Sequence, residues 1–158
     1  MRILGIDPGT GILGFGVIDY SRGKCSMVTA GVITTPAHTP LEIRLEEIYD
    51  GLCEIIAETK PAVASIEKLF FARNVTTAMS VSHARGVAML AAQKGGLEIA
   101  EYTPLQIKQT LTGYGKADKK QMQEMARLQL GLTTIPKPDD AADALAAAIT
   151  HALMSRGV

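Results

Sequence analysis

The sequence predicts an α/β domain with a mixed β-sheet and helices on its faces. Two observations predict this class. The first 35 residues hold three short apolar segments separated by turn residues, and the rest of the chain alternates helical apolar spacings with two short apolar strands. The resulting order, βββ-α-β-α-β-α-α-α, is typical of a mixed sheet covered by helices. A chain of 158 residues, 47% of them apolar, is long enough for one domain with a sizeable core.

The N-terminal segment is predicted to be an antiparallel meander. Its first strand contains Ile3, Leu4 and Ile6, and we expect it to be central in the sheet because apolar residues lie on both of its faces. The strand ends on a charged residue, and glycine then allows the chain to reverse. The turns are expected at 8–11 and 21–23, and the second and third strands at 13–20 and 26–35.

From residue 40 onward the apolar residues recur at spacings of three and four, which indicates amphipathic helices. Proline and glycine divide this part of the chain into separate segments. The helices are expected at 40–56, 75–94, 104–111, 119–130 and 139–154, and the strands at 62–66 and 97–102. Asp139 is expected to be the N-cap of the last helix.

Composition excludes several classes of protein. The chain has 16 basic and 16 acidic residues, and a formal net charge of zero argues against coating nucleic acid by bulk charge. No apolar run approaches the ~20 residues that span a bilayer, and Asp7 and Pro8 interrupt the first apolar stretch too early for a secretion signal. Cys25 and Cys53 are too few for a disulfide framework or a zinc cluster. We therefore expect no membrane association and a reducing, cytoplasmic location.

Four acidic residues are candidates for a metal site. Asp7 and Glu67 each end a strand, and the ends of strands are where open α/β sheets place ligands. Asp140 and Asp143 are three residues apart on an alanine-rich helix, so they project from nearly the same side and repel each other unless a cation compensates. Mg²⁺ binds one or two carboxylates per ion together with a substrate phosphate. Ordinary strand-end and helix-terminal charges are the alternative, since spacing alone does not show that the four acids meet.

The zero net charge conceals a separation of charge along the chain. Residues 40–60 carry 2 basic and 6 acidic groups, a balance of −4. Residues 61–96 carry 4 and 1, or +3, and residues 104–137 carry 6 and 2, or +4. The two positive stretches are expected to flank the proposed carboxylate site, so a zero net charge excludes only indiscriminate coating of nucleic acid and leaves selective binding open.

Five segments together resemble one known family. They are GIDPGTGILGFGV (5–17), SIEKLFFARN (65–74), HARGVA (83–88), TPLQIKQTLTGYGKADKKQM (103–122) and DDAADALAAAITH (139–151). In this order they closely resemble the RuvC family of crossover-junction endodeoxyribonucleases, over essentially the whole chain. The resemblance implies one ribonuclease H-like nuclease domain over residues 1–158. Its sheet would be five-stranded and mixed, with the first three strands antiparallel, and flanked by helices.

The resemblance also implies an activity. The family's acidic tetrad corresponds to Asp7, Glu67, Asp140 and Asp143, which leaves Asp139 as an additional acid. Some members carry His at the third of these positions. The expected cofactor is Mg²⁺, two ions per active site, with Mn²⁺ as a substitute. The expected reaction is the paired, symmetric cutting of a four-way (Holliday) DNA junction in recombination and repair. A homodimer packed through helix 75–94 and a branch-migration motor complex are the partners that the resemblance implies.

The residues after Glu67 are candidate DNA contacts. By resemblance, Phe70 stacks on bases at the junction centre, for which an aromatic face suits any base. Arg73 and Asn74 are expected to contact backbone phosphate, with a solvated loop as the alternative. Phe71 is expected to pack beneath the loop.

A second group of candidate DNA contacts consists of lysines around a glycine-containing loop. The resemblance places Lys108 and Lys119 near the scissile strand, and Lys116 and Lys120 are expected to be general phosphate contacts. A solvated lysine face is the ordinary alternative. Tyr114, in the loop between the two glycines, is a weaker candidate for stacking.

Three other functions fit parts of the sequence. The Asp7-Pro-Gly-Thr segment also resembles the phosphate hairpin of actin-like ATPases, but that fold needs a second domain for which 158 residues leave no room. A junction-binding protein without catalysis would not need all four acids. A related ribonuclease H-like nuclease acting on RNA is the nearer alternative, and the lysine-rich loop with the Asp-Ala-Ala-Asp helix favours the DNA enzyme.

Overall fold

The computed structural model describes residues 1–68 and 75–157, which form a five-stranded mixed sheet with helices on both faces. The strand order across the sheet is β3-β2-β1-β4-β5. The strands are β1 (Arg2–Asp7), β2 (Ile12–Ser21), β3 (Lys24–Thr34), β4 (Val63–Glu67) and β5 (Glu98–Tyr102). This is the predicted mixed sheet, and β1 is at its centre as expected.

The first three strands form the predicted antiparallel meander, and β4 and β5 then add in parallel. The β2–β3 hairpin turns through Arg22 and Gly23, whose φ angles are 51° and 80°. Positive φ at both central residues is what the tight hairpin turn matching the strand twist requires, and glycine adopts it without steric cost.

The helices are α1 (Leu41–Thr59), α2 (Val75–Lys94), α3 (Pro104–Thr112), α4 (Lys119–Leu130) and α5 (Asp139–Met154), followed by a 3-10 turn at Ser155–Gly157. Helices α1 and α2 cover one face of the sheet, against Leu4 and Ile6 of β1. Helices α3, α4 and α5 pack on the other face, where Ile3 of β1 points. The apolar residues on both faces of β1 therefore reflect two separate core layers, as the alternation of side chains along a strand requires.

The prediction that Asp139 caps α5 is wrong. The N-cap is Pro138, with extended backbone angles and no side-chain capping bond, and Asp139 is the first helical residue. An acid in the first turn still stabilises the helix because it faces the positive end of the helix dipole. The side chain of Asp139 is thereby free to contact α4 instead of its own backbone.

Helices α3 and α4 both begin with side-chain caps. The Asp118 side chain accepts a hydrogen bond from the Gln121 amide at 2.8 Å, and the Gln121 side chain accepts one from the Asp118 amide at 2.9 Å. This reciprocal capping box starts α4 at Lys119. A similar box at Thr103 and Gln106 starts α3. No helix in the described part of the chain is long and apolar enough to cross a membrane.

Candidate active site

The site is built at the ends of the two central parallel strands. Strands β1 and β4 pair with Ile6 opposite Ile66, so Asp7 and Glu67 are the next residues of each strand and end side by side. Both are half-buried. Register alone thus brings together two carboxylates that are 60 residues apart in the chain.

At two positions, helix α5 lies so close to the sheet that only glycine fits beneath it. A Cβ atom on Gly14, which pairs with Asp7 across β1 and β2, would lie 1.9 Å from the backbone oxygen of Asp140. A Cβ on Gly5 would lie 1.9 Å from the backbone oxygen of Ala144. Since ordinary carbon contacts lie at about 3.5 Å or more, these two glycines let the helix backbone rest directly on the strands.

The close approach of α5 completes an acidic cluster. Oxygen atoms of Asp7, Asp140 and Asp143 all lie within 4.8 Å of one another. Glu67 joins them through a hydrogen bond that its carboxyl group shares with Asp7. All four predicted acids therefore meet at one end of the sheet. Carboxylate oxygens at this spacing are the donor set that hard divalent cations such as Mg²⁺ and Mn²⁺ prefer, so the residues fit the expected metal.

The cluster is electrostatically unfavourable without a compensating cation. Burial, the charges of Glu67 and Asp143, and the hydrogen bond with Glu67 together raise the pKa of Asp7 to about 8. Burial also raises the pKa of Asp143, and Lys119 opposes that rise. Burial raises the pKa of Glu67 as well, against opposing effects of Asp7, Lys108 and Lys119. A raised carboxyl pKa means that the ionised form is disfavoured here, which is the condition a bound cation relieves.

Two of the predicted lysines line the same cleft as the acids. A cleft of about 270 Å³ is lined by Glu67 and Asp143 together with Lys108 and Lys119. Lys119 Nζ lies 3.7 Å from Asp143 Oδ2 and 3.3 Å from the Oδ2 atom of Asp139. Burial lowers the pKa of Lys119, but the neighbouring carboxylates outweigh it and raise that pKa above its ordinary value. The structure thus brings an ammonium group to the edge of the acidic cluster.

The other two lysines are exposed, Lys116 on the α3–α4 connection and Lys120 in the first turn of α4. Lys120 borders a neighbouring cavity of about 480 Å³ together with Tyr114, and Lys116 lies two residues after Tyr114 in the same loop. These residues are close to the acidic cleft but do not line it. Phe70, Phe71, Arg73 and Asn74 lie outside the described residues.

Comparison with known proteins decides the family. The family model described as crossover junction endodeoxyribonuclease RuvC matches residues 3–151. The chain is 54% identical over 152 residues to the RuvC protein of Chloroflexus aurantiacus, covering 96% of this chain and 93% of that protein. It is 52% identical over 154 residues to the RuvC protein of Rubrobacter xylanophilus, covering 98% and 86%. The chain belongs to the RuvC family of crossover junction endodeoxyribonucleases.

Solved structures agree with the RuvC assignment. The chain matches a structure titled "T. thermophilus RuvC in complex with Holliday junction substrate" with a TM-score of 0.94 at 35% identity, covering 99% of this chain and 96% of that one. A yeast mitochondrial Holliday junction resolvase matches with a TM-score of 0.66 at 13% identity, covering 95% and 78%, and shares the fold. The predicted ribonuclease H-like fold is therefore confirmed, and the actin-like alternative is set aside.

Three features of this RuvC-family structure, two of them at the site, were not found from the sequence. Gly5 and Gly14 lie within a motif that was recognised, but their role beneath α5 depends on a helix more than 120 residues away in the chain. The additional acid Asp139 reaches Lys119 across two helices. Arg85 of α2 pairs with Glu101 of β5 at 2.6 Å, and its Nε atom is buried with no hydrogen-bond partner among residues 1–68 and 75–157. The motifs that resemble the family include several of these residues, whereas only packing shows what each one contacts.

Proposed function

We propose that this protein is a metal-dependent endonuclease that resolves four-way DNA junctions by paired, symmetric phosphodiester hydrolysis in recombination and repair. The observation that carries the proposal is the cluster of four carboxylates, Asp7, Glu67, Asp140 and Asp143, at the end of the sheet in a chain of the RuvC family. The solved relative whose title places it in complex with a Holliday junction supports the choice of substrate. We further propose that residues 1–158 act as one nuclease domain.

The four carboxylates are the proposed ligands of divalent cations. Mg²⁺ is the proposed cofactor, at two ions per site, with Mn²⁺ as a substitute. When bound, such ions activate a water molecule and stabilise the leaving oxygen of a phosphodiester. The protein's own contribution is to hold the acids together against their repulsion, through the strand register and the close contact of α5 with Gly14. Holding the acids together lowers the stability of the fold, but it organises the site before the substrate binds.

The lysines are the proposed phosphate contacts. Lys108 and Lys119 border the cleft, so their ammonium groups can bind the backbone phosphate of the strand that enters it and offset the charge of the acids. Lys116 on the α3–α4 connection and Lys120 in the first turn of α4 are proposed to extend this positive surface. By family resemblance, Phe70 is the proposed base-stacking residue. Arg73 and Asn74 are the proposed contacts to the phosphates of the DNA backbone.

A homodimer is the proposed assembly, because two symmetric cuts require two active sites related by a two-fold axis. Helix α2 supports it. Exposed apolar and small residues recur along its outer side at Val75, Met79, Gly86 and Leu90. Their spacings of four, seven and four residues place them on one face of the helix, and among the described residues no atom lies within 4 Å of a Cβ built on Gly86. Glycine on such a face allows close approach of a second helix.

We also propose association with a branch-migration motor, on family resemblance alone. A cytoplasmic location is proposed from the cysteine content of the chain. Both cysteines, Cys25 and Cys53, are free thiols, as expected in a reducing compartment.

The test compares three substrates: a synthetic four-way junction, a linear duplex of the same sequence and an RNA–DNA hybrid, each with Mg²⁺ or Mn²⁺. We expect paired nicks in opposed strands of the junction and little cleavage of the others. Asp7→Asn should abolish cleavage and retain junction binding, because it removes a metal ligand and not a phosphate contact. The matched control is Asp19→Asn, at the opposite end of the same strand pair, where Asp19 pairs with Arg2. Preferential cleavage of the hybrid, or full activity of Asp7→Asn, would contradict the proposal.

The dimer is tested separately by analytical ultracentrifugation. Met79→Lys should shift the protein toward monomer, because it places a charge in the centre of the apolar face. The matched control is Glu58→Lys on the outer side of α1, which also introduces a positive charge but outside this face. A wild-type protein that stays monomeric at micromolar concentration with and without junction DNA is incompatible with the proposed assembly.

A further inference from the structure

Asp139 is the acid beside the cluster that the tetrad does not use. Its Oδ2 atom lies 3.3 Å from Lys119 Nζ, and its Oδ1 atom accepts a hydrogen bond from Gln123 Nε2 at 3.0 Å. Lys119 and Gln123 are four residues apart on α4, so they lie on the same side of that helix. Asp139, the first residue of α5, is therefore attached at two points to the helix that carries the lysine.

The ammonium group of Lys119 is shared between two carboxylates with different roles. It lies 3.3 Å from an oxygen of Asp139 and 3.7 Å from one of Asp143, which is a proposed metal ligand. Lys119 is also the first residue of α4, where the positive end of the helix dipole disfavours a cation. The position of Lys119 is thus set by the two acids, and the nearer of them lies outside the cluster.

We propose that Asp139 is a positioning residue for Lys119. It holds the ammonium group at the edge of the cleft and reduces its pairing with Asp143, so that Asp143 can coordinate a cation while the lysine faces the phosphate. This inference rests on the proposed function, because it assumes that Asp143 is a metal ligand. Without Asp139, the nearest described carboxylate to Lys119 is that of Asp143, and the lysine then competes with the metal ion.

Gln123 has a supporting part in this arrangement. Its side-chain amide restrains the carboxylate of Asp139, which is otherwise exposed, with 63% of its side-chain surface accessible. An exposed ion pair is worth little when its partners move freely. A hydrogen bond that fixes one partner lowers the cost of holding the pair in one geometry, so Gln123→Ala should reproduce part of the effect of losing Asp139 without any change in charge.

The experiment measures Mn²⁺ binding in the absence of DNA, by electron paramagnetic resonance of the free ion. Four proteins form a double-mutant cycle: wild type, Asp139→Asn, Lys119→Met and the double variant. We expect Asp139→Asn to weaken Mn²⁺ binding by about two- to fivefold, which is the range for one exposed ion pair. In the Lys119→Met background the same substitution should have no effect, because there is then no ammonium group to pair with Asp143 and compete with the ion.

The cycle separates positioning from direct attraction. If Asp139 merely attracts the ion through its own charge, its loss weakens binding equally in both backgrounds, and the inference is overturned. An unchanged affinity of Asp139→Asn in the otherwise wild-type protein overturns it as well. Glu58→Gln on α1, on the other face of the sheet, is the matched control for a lost negative charge and should leave Mn²⁺ affinity unchanged.

A kinetic readout completes the test. On a four-way junction, Asp139→Asn should lower kcat more than it raises KM, Asp139→Glu should restore part of kcat, and Gln123→Ala should show a smaller loss. If Asp139 served only in folding, its substitution would not lower kcat in preference to raising KM. A uniform change in KM for all three variants would count against the inference. Failure of the proposed function is distinguishable: in that case Asp7→Asn leaves Mn²⁺ affinity unaltered, or the wild-type protein leaves the junction uncut.

Discussion

Gly14→Ala is the substitution that most directly tests how the site is built. The new Cβ atom would lie 1.9 Å from the backbone oxygen of Asp140 and 2.4 Å from its carbonyl carbon. Ordinary contact begins at about 3.4 Å, so the N-terminal turn of α5 would have to move by about 1.5 Å. Backbone atoms on both sides leave no flexible side chain to absorb the shift.

The displacement has two expected consequences. Overpacking of this kind costs about 1 to 3 kcal/mol, so the free energy of unfolding should fall by that amount. Because Asp140 and Asp143 move with α5 while Asp7 stays on β1, the acids lose their mutual spacing. A misplacement of about 1 Å in a catalytic constellation costs on the order of 100-fold in rate, and we expect junction cleavage to fall by at least that factor.

The assay pairs urea unfolding with Mn²⁺ binding and junction cleavage on the same preparation. Gly11→Ala is the matched control, because a Cβ there meets only the flexible guanidinium end of Arg44 at 3.3 Å. It should retain wild-type stability and Mn²⁺ affinity. If Gly14→Ala folds, binds Mn²⁺ and cleaves like the wild type, close packing of α5 on β2 is not what organises the acids, and the reasoning is refuted.

Three other predictions concern stability. Arg85→Met should lower the free energy of unfolding by about 1 to 3 kcal/mol, because it leaves the half-buried Glu101 carboxylate without its partner; Arg85→Met with Glu101→Leu should recover part of that loss, and an additive urea result would refute the pairing. Burial lowers the pKa of His151, so on acidification the imidazole is protonated in the unfolded chain at a higher pH than in the folded protein. The free energy of unfolding should therefore fall as the pH drops below about 6.5. His151→Gln should weaken this pH dependence in urea unfolding, and the same dependence in both proteins would contradict it. Without divalent cations, Asp7→Asn should raise the unfolding free energy by about 1 kcal/mol or more, because it removes a carboxylate whose pKa is raised to about 8 by burial and like charges; added Mn²⁺ should raise the melting temperature of the wild type more than that of the variant, and equal shifts would count against Asp7 as a ligand.

The elements of the fold could be predicted because their signals are local. Spacings of three and four residues predicted α1, and Gly23 marked the β2–β3 turn where the chain adopts positive φ. The wrong N-cap at Asp139 has a local cause too: aspartate is a preferred cap, but the extended backbone angles that define a cap occur at Pro138.

The candidate acids were also identified from the sequence, because a charge at the end of a buried strand is conspicuous. Asp7 and Glu67 met this criterion, and the family resemblance selected Asp140 over Asp139. What the sequence could not supply was the distance between them. Asp139 and Asp140 are neighbours in the chain, yet one contacts the lysine and the other joins the cluster, since adjacent helical residues point in directions about 100° apart.

The sequence by itself determined the order of strands and helices along the chain, the family and the candidate acids. Each of these follows from residue types and their spacing. Only the tertiary structure decided that the acids converge. That convergence depends on the parallel register of β1 and β4 and on the contact between Gly14 and α5, which join residues far apart in the chain. Contacts of this kind arise from tertiary packing and cannot be predicted from local sequence patterns. The same packing places Asp139 beside Lys119.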